Sequence, residues 1–143
     1  MKVDSILVTK GSDVVTVEPG AALTEALALF RQRDIGAVVV VEDGHLVGLL
    51  SERDVVRALD RASYRVLDMR VAQVMQRAPI TCSPDDDIQH IMAIMTHERV
   101  RHLPVLVGPR LCGIVSAGDV IKARLDQAEA EIQILRDLYR ASH

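Results

Sequence analysis

The stretch GLLSERDV, Gly48 to Val55, returns as GIVSAGDV, Gly113 to Val120. Glycine, serine, aspartate and valine keep their relative places, 65 residues apart. Sliding the chain by that offset without a gap also pairs Thr16 with Thr81, Pro19 with Pro84, Ala28 with Ala93 and Val40 with Val105. Leu46 meets Leu111, and Ala58 meets Ala123. Ten identities over roughly fifty positions exceed the roughly three that average composition supplies. The chain holds an internal duplication.

The two copies read alike. A short strand (Val14–Val17; Ile80–Cys82) leads through a proline-marked turn into a helix. That helix is apolar at Leu23, Leu27 and Phe30, aligned with Ile88, Met92 and Met95. Spacings of three and four place such residues on one face. In the second copy Ser83, Pro84 and the acids Asp85–Asp87 offer a cap and negative charge at the helix start. An apolar strand follows, AVVVV (Ala37–Val41) or LPVLV (Leu103–Val107), then a turn and a strand LVGLLS or LCGIVS. A second helix begins just after the serine. Strands this apolar need cover on both faces, from helices or from the other copy, and a unit of about 60 residues buries too little alone. The expectation is an α/β fold (α+β in some schemes) of two β-α-β-β-α repeats, residues 5–65 and 71–125, related by a pseudo-two-fold axis. A short polar linker, Arg61 to Arg70, joins them, and a helical extension covers residues 126–143.

Composition narrows the classes. Apolar residues are 49% of the chain but aromatics only 2%, so the core is built from methyl groups. A net charge of -3 argues against a dedicated nucleic-acid binder. No run approaches the roughly 20 apolar residues of a membrane span, and the N-terminus carries no signal-peptide pattern. Cys82 and Cys112 sit inside apolar runs with no partner at disulfide or metal spacing. They read as small core residues of a reducing, cytoplasmic protein.

The repeated motif carries the chemistry. A strand ends, a serine turns the chain, and an acid follows three residues later. Backbone N–H groups and Ser51 Oγ can meet an anion at a helix N-terminus. Asp54 is suited instead to a neutral diol, and acid beside phosphate-binding helix end is the physics of nucleotide recognition. The alternative is a capping box, with Ser51 as N-cap and Asp54 closing back on the backbone. A second signature is RVRHLPV, Arg99 to Val105. An arginine fork suits phosphate because it donates two hydrogen bonds at once, although cations are also favoured at a solvated helix end.

Glycine, an apolar residue, Ser or Thr and then Asp, twice in register beside apolar-Pro-Val strands, resembles a tandem cystathionine β-synthase (CBS) domain pair, or Bateman module. The likeness covers about residues 5 to 125 and is nearest to stand-alone bacterial CBS pairs. The same module regulates inosine monophosphate dehydrogenase and forms the γ subunit of AMP-activated protein kinase. The resemblance implies a non-catalytic regulatory sensor, with clefts between the repeats for adenine nucleotides (AMP, ATP or NAD(H)) and ligand-dependent changes of shape. It also implies a homodimer and a regulated protein partner of unknown identity. Ligand-free scaffolding between protein partners, or service as the regulatory subunit of an enzyme in trans, are the alternatives.

Residue by residue, the resemblance puts Asp54 and Asp119 on ribose hydroxyls and Ser51 and Ser116 by ribose or phosphate. The residues before each aspartate diverge, Arg53 against Gly118. Arg101 and His102 stand where the kinase γ subunit binds phosphate, whereas the aligned Gly36 and Ala37 carry no charge. If each cleft draws its aspartate from one repeat and its pre-strand residues from the other, one combines Ser51, Arg53 and Asp54 with Arg101 and His102. The other combines Ser116, Gly118 and Asp119 with Gly36 and Ala37, and Val15 and Ile80 flank the adenines. The first is cationic and favours phosphate.

Nothing points to catalysis. The serines lack a nucleophile elbow, and neither a G-x-G-x-x-G nor a P-loop is present. His45 falls in a turn, and His90 and His97 on the solvent side of a helix. The C-terminal segment repeats apolar residues at Ile121, Leu125, Ala128, Ile132, Leu135 and Tyr139, a heptad seam with Gln127, Glu129, Glu131 and Arg136 around it. A helix of about 22 residues spans roughly 33 Å. It either lies across its own domain or pairs between subunits, and pairing is the favoured reading.

Overall fold

The computed structural model describes residues 1–143. Strand β1 (Thr16–Val17) leads to helix α2 (Leu23–Arg33), and β2 (Ala37–Glu42) and β3 (His45–Ser51) form a hairpin before α3 (Glu52–Ala62). The second copy repeats this with α5 (Ile88–Glu98), β5 (His102–Val107), β6 (Arg110–Ser116) and α6 (Ala117–Ser142). Its first strand shrinks to one parallel bridge, Cys82 to Val105, the aligned counterpart of Val17 to Val40 in β1 and β2. Both hairpins slip register at the aligned place, between Val40 and Val41 and between Val105 and Leu106. The expected β-α-β-β-α order holds in both copies.

Alternation along the strands distributes the apolar residues. In β2, Val38 and Val40 face the first core with Leu23, Ala26, Phe30 and Val55. Ala37 and Val39, alternating with them, turn the other way and join Leu49, with Leu111 and Ile114 of β6 packed against them. Each hairpin is thus covered by helices on one side and by its twin on the other. That arrangement explains why the strands are apolar at nearly every position.

Two elements were not legible in the repeat. A leading helix, α1 (Val3–Lys10), buries Val3, Ile6 and Leu7 in the second core, with Ile88, Ile91, Leu103 and Val105. A short helix, α4 (Val71–Val74), does the same for the first core through Val71 and Val74. The backbone agrees: Lys2 bridges Asp87, and Arg70 bridges Ala22, the residue aligned with Asp87. Each repeat therefore receives its capping helix from the segment that precedes the other. Burying side chains of this size stabilises by about 1.5–3 kcal/mol apiece, so both cores depend on this exchange. Strand β4 (Gln76–Arg77) follows α4 and adds to the edge of β3.

The expected polar linker is structured as well. Residues Ser63–Asp68 form a 3-10 turn with Val66 fully buried in the first core. Nor does α5 start at Ser83: that residue heads a turn, donating from its backbone to Asp86, and Asp87 caps the helix by accepting from Gln89 N at 2.8 Å. At 26 residues, α6 is about 39 Å long, and its apolar residues Ile121, Leu125, Ile132, Leu135 and Tyr139 are 48–66% exposed. It projects from the body rather than lying across it.

The motif glycines sit where strands meet the exchanged segments. A Cβ on Gly48 would stand 2.5 Å from Met75 Sδ and 2.9 Å from the Gln76 carbonyl oxygen. On Gly113 it would meet only the end of the Leu7 side chain, at 2.7 Å. A flexible side chain can turn aside, whereas ladder backbone cannot. Gly48→Ala is expected to destabilise by about 1–3 kcal/mol and Gly113→Ala by clearly less, as urea unfolding of the two variants would measure.

Candidate functional site

A cavity of about 220 Å³ opens where the two repeats meet. The first repeat lines it with Gly36, Leu49, Ser51, Glu52, Arg53 and Arg57, the second with Arg99 to His102, and Gln76 of β4 closes one side. Ser51, Arg53, Arg101 and His102, drawn together by the sequence from distant positions, meet here. Gly36 is here too, rather than in the opposite cleft. Ladder pairing of Ala37 with Ser51 holds it next to the motif serine, and its carbonyl accepts from Glu52 N at 3.0 Å. A Cβ on Gly36 would lie 3.5 Å from the His102 ring, so the two pre-strand segments face each other across the seam.

Four guanidinium groups and one carboxylate, Glu52, line this space. Arg53 and Arg57 are one turn apart on α3 and so share a face. Arg53 Nη1 donates to the Arg99 carbonyl at 3.2 Å, tying the start of α3 to the end of α5. Arg99 ends α5 in the left-handed region, at φ 55°, where a residue with a β-carbon is disfavoured. Asp34, its aligned counterpart, ends α2 at φ 52°. Arg57 and Arg99 escaped the sequence reading of the site. The signal for Arg99 was present, as the exchange of an acid for a base at aligned helix ends.

The two aspartates occupy capping boxes. Asp54 is 6% exposed, and its Oδ2 accepts from Ser51 N at 2.8 Å and from Ser51 Oγ at 2.9 Å. Its Oδ1 accepts from Gln76 Nε2 at 3.2 Å. Asp119 accepts from Ser116 N at 2.9 Å, and its Oδ2 also takes Lys10 Nζ at 2.7 Å. The same ammonium donates to the Ile114 carbonyl at 2.9 Å. Burial pushes the Asp119 carboxyl up, but bonds from Lys10 and Ser116 outweigh it, leaving the group below the usual carboxylate value. Capping accounts for the bonds between each serine and its aspartate, as the sequence allowed, but not for those from Gln76 and Lys10.

The remaining candidates lie apart from the cavity. Gly118 is exposed on the first turn of α6, and Ser116 caps that helix. Ala37 is buried in the seam with Val39 and Leu49. Val15 packs against the first core, and Ile80 is exposed ahead of Cys82. Burial, with help from Asp86, raises the Cys82 thiol to about 12, so it is protonated and unreactive. His/Cys/Asp/Glu residues form no cluster able to hold a metal ion, and no helix is long and apolar enough to cross a membrane.

Comparison with known proteins agrees with this architecture. The CBS domain family model matches twice, at residues 3–61 and 71–126. The CBS domain-containing protein YhcV of Bacillus subtilis is 30% identical over 126 residues, spanning 88% of this chain and 89% of that protein. The crystal structure of the CBS-domain containing protein ATU1752 from Agrobacterium tumefaciens superposes with a TM-score of 0.84 at 40% identity, covering 87% of this chain and 99% of that one. The CBS domain pair of protein MJ0100, solved with 5′-methylthioadenosine and S-adenosyl-L-methionine, shares the fold with a TM-score of 0.77 at 24% identity, over 90% and 98% of the two chains. The chain belongs to the CBS domain family and carries the domain in tandem.

His102 gives the site a pH signature. Burial, then the charge of Lys10, lowers its imidazole below the ordinary 6.5, and Arg101 adds to this against an opposing pull from Asp119. The folded protein therefore keeps the ring neutral where the unfolded chain already binds a proton. Stability contributed by the neutral ring is present above pH 6.5 and is lost as the pH falls from there toward the lower folded value. Urea unfolding between pH 7.5 and 5.5 should show wild type losing stability, and His102→Gln losing visibly less.

Proposed function

We propose that this protein is a non-catalytic sensor of adenine nucleotides, AMP, ATP or NAD(H), that binds them between its two CBS repeats. The observation that carries the reading is the convergence of Arg53, Arg57, Arg99 and Arg101 on one cavity, opposed by a single acid. Like charges brought together repel, and a fold that needed only a cap has no use for four of them. A phosphate supplies the missing counter-charge, and arginine forks match its oxygens. The adenosine compounds held by the MJ0100 pair support the choice of ligand class.

The backbone offers a route from ligand to output. Arg101, at the cavity, accepts through its carbonyl from Ala117 N, the first residue of α6, at 2.8 Å. Phosphate drawn between Arg53 and Arg101 would tie the repeats together and shift the start of the projecting helix. In this reading α6 pairs with its copy in a homodimer, and a regulated protein reads the change. Scaffolding without a ligand is the second reading, favoured by the exposed apolar seam of α6 but silent on the arginines.

Calorimetry with AMP tests the proposal. Losing one charge-assisted bond to phosphate costs about one to two decades in affinity. Arg101→Ala should weaken AMP by that order, with a smaller difference at high salt, whereas Asp119→Ala should leave this site almost unchanged. Equal affinity of wild type and Arg101→Ala would remove the phosphate from this cavity. A chain truncated before Asp126 should keep its fold and lose most of its dimer in light scattering. An unchanged dimer would show that α6 is not the pairing surface.

A further inference from the structure

Glu52 is the one carboxylate among the residues that line the arginine cavity. It opens α3, where the helix dipole favours a negative charge. That preference asks only for an acid in the first turn, and Asp54 already supplies one. The second copy has Ala117 at the aligned position, so the repeat does not require an acid there. Four guanidinium groups share the cavity, yet both ion pairs of the structure lie elsewhere, Lys10 with Asp119 and His97 with Glu98. Glu52 is exposed, with its oxygens open to a ligand. Its backbone N–H donates to the Gly36 carbonyl at 3.0 Å, which fixes where the side chain starts. A Cβ on Gly36 would lie 3.4 Å from Glu52 Oε1 and 3.5 Å from the His102 ring, so carboxylate and imidazole border the same small space.

Resting on the nucleotide reading of this cavity, we propose that Glu52 makes it specific for ribonucleotides by accepting hydrogen bonds from the ribose 2′,3′-diol. A phosphate is drawn to the arginines and repelled by Glu52, which leaves the acid to an uncharged part of the ligand that carries donors. A vicinal diol offers two donors to the two oxygens of one carboxylate. The adenine amino group stands beside the N1 lone pair, which a carboxylate repels. Asp54 is the less accessible acid. It is 6% exposed, its Oδ2 accepts from Ser51 N and Ser51 Oγ, and its Oδ1 holds a charge-assisted bond from Gln76 Nε2. A diol reaching Asp54 breaks the cap of α3 or displaces Gln76, whereas one reaching Glu52 displaces only solvent.

Glu52→Ala installs the residue that the second copy already uses at this position, so a folded variant is expected, and circular dichroism melting verifies it. Calorimetry on the full chain then compares AMP with 2′-deoxy-AMP, which lacks one of the two donors. Wild type should bind AMP about tenfold tighter than 2′-deoxy-AMP, and in Glu52→Ala the two affinities should converge. The ratio is the readout because removing an acid strengthens a phosphate in this cavity for both ligands alike. Both affinities rising together at an unchanged ratio would make Glu52 a charge alone and overturn the inference. Equal affinities in wild type would overturn it too, with the nucleotide reading intact. A Glu52→Ala variant that loses a preference for AMP over IMP, but keeps that over 2′-deoxy-AMP, would place the acid on the base and also overturn it. AMP bound by neither protein removes the nucleotide reading, and this inference with it. If the alanine variant melts early, Glu52→Gln, which exchanges the charge for a neutral amide, is read for the same ratio. A narrowed ratio then supports the role of the carboxylate, and the wild-type ratio overturns it.

Discussion

The fold depends on one contact, the face-to-face packing of two hairpins through Ala37, Val39 and Leu49 on one side and Leu111 and Ile114 on the other. A two-stranded hairpin with helices on one face leaves its second face bare, and so small a unit has nothing of its own to cover it. Duplication solves the problem with a surface that matches by descent. The consequence for chemistry follows directly. Packing the hairpins back to back brings the first motif serine and the start of α3 to the pre-strand segments of both copies, so that Gly36, Ser51, Arg53, Arg101 and His102 line one cavity.

Symmetry of the backbone then becomes a frame for asymmetry of charge. Helix ends at Asp34 and Arg99 share a left-handed conformation but differ in sign. Gly36 and Arg101 accept equivalent bonds, from Glu52 N and Ala117 N, but only one brings a guanidinium. Gln76 and Lys10 stand over equivalent aspartates, neutral on one side and cationic on the other. One rim accumulates arginines around an open cavity, and the other neutralises its acid internally.

The sequence made most of this legible because a fixed offset of 65 carries the hairpins, helices and motif residues together. Duplicate strands with the same apolar positions disclosed the two-layer packing without any single long-range contact being known. What escaped lies outside that offset. Lys2 and Arg70 play the same part but are 68 apart, so α1 and α4 do not align when the repeats do. Lys10 and Gln76 share neither offset nor residue type, and only their common neighbour on β3 or β6 reveals the equivalence. Gly36 lies in the first cavity rather than the opposite one because the ladder pairs Ala37 with Ser51, a register that sequence alone does not show. Capping and ligand binding ask for the same serine and aspartate at the same spacing, so the motif spoke for both.

The exchanged helix α1 also sets an order of events during synthesis. Its seat in the second core is built from Ile88, Ile91, Leu103 and Val105, and its backbone is held by the Pro84 and Asp86 carbonyls. None of these residues exists when α1 leaves the ribosome. At about 5–20 residues per second, close to a hundred residues of further chain take roughly 5–20 s. Through that interval Val3, Ile6 and Leu7 have no partner, while the first repeat can already close on α4. A segment made ahead of both repeats is thus placed only after the second is complete, so the growing chain carries exposed apolar side chains whose protection is a matter of timing rather than of equilibrium.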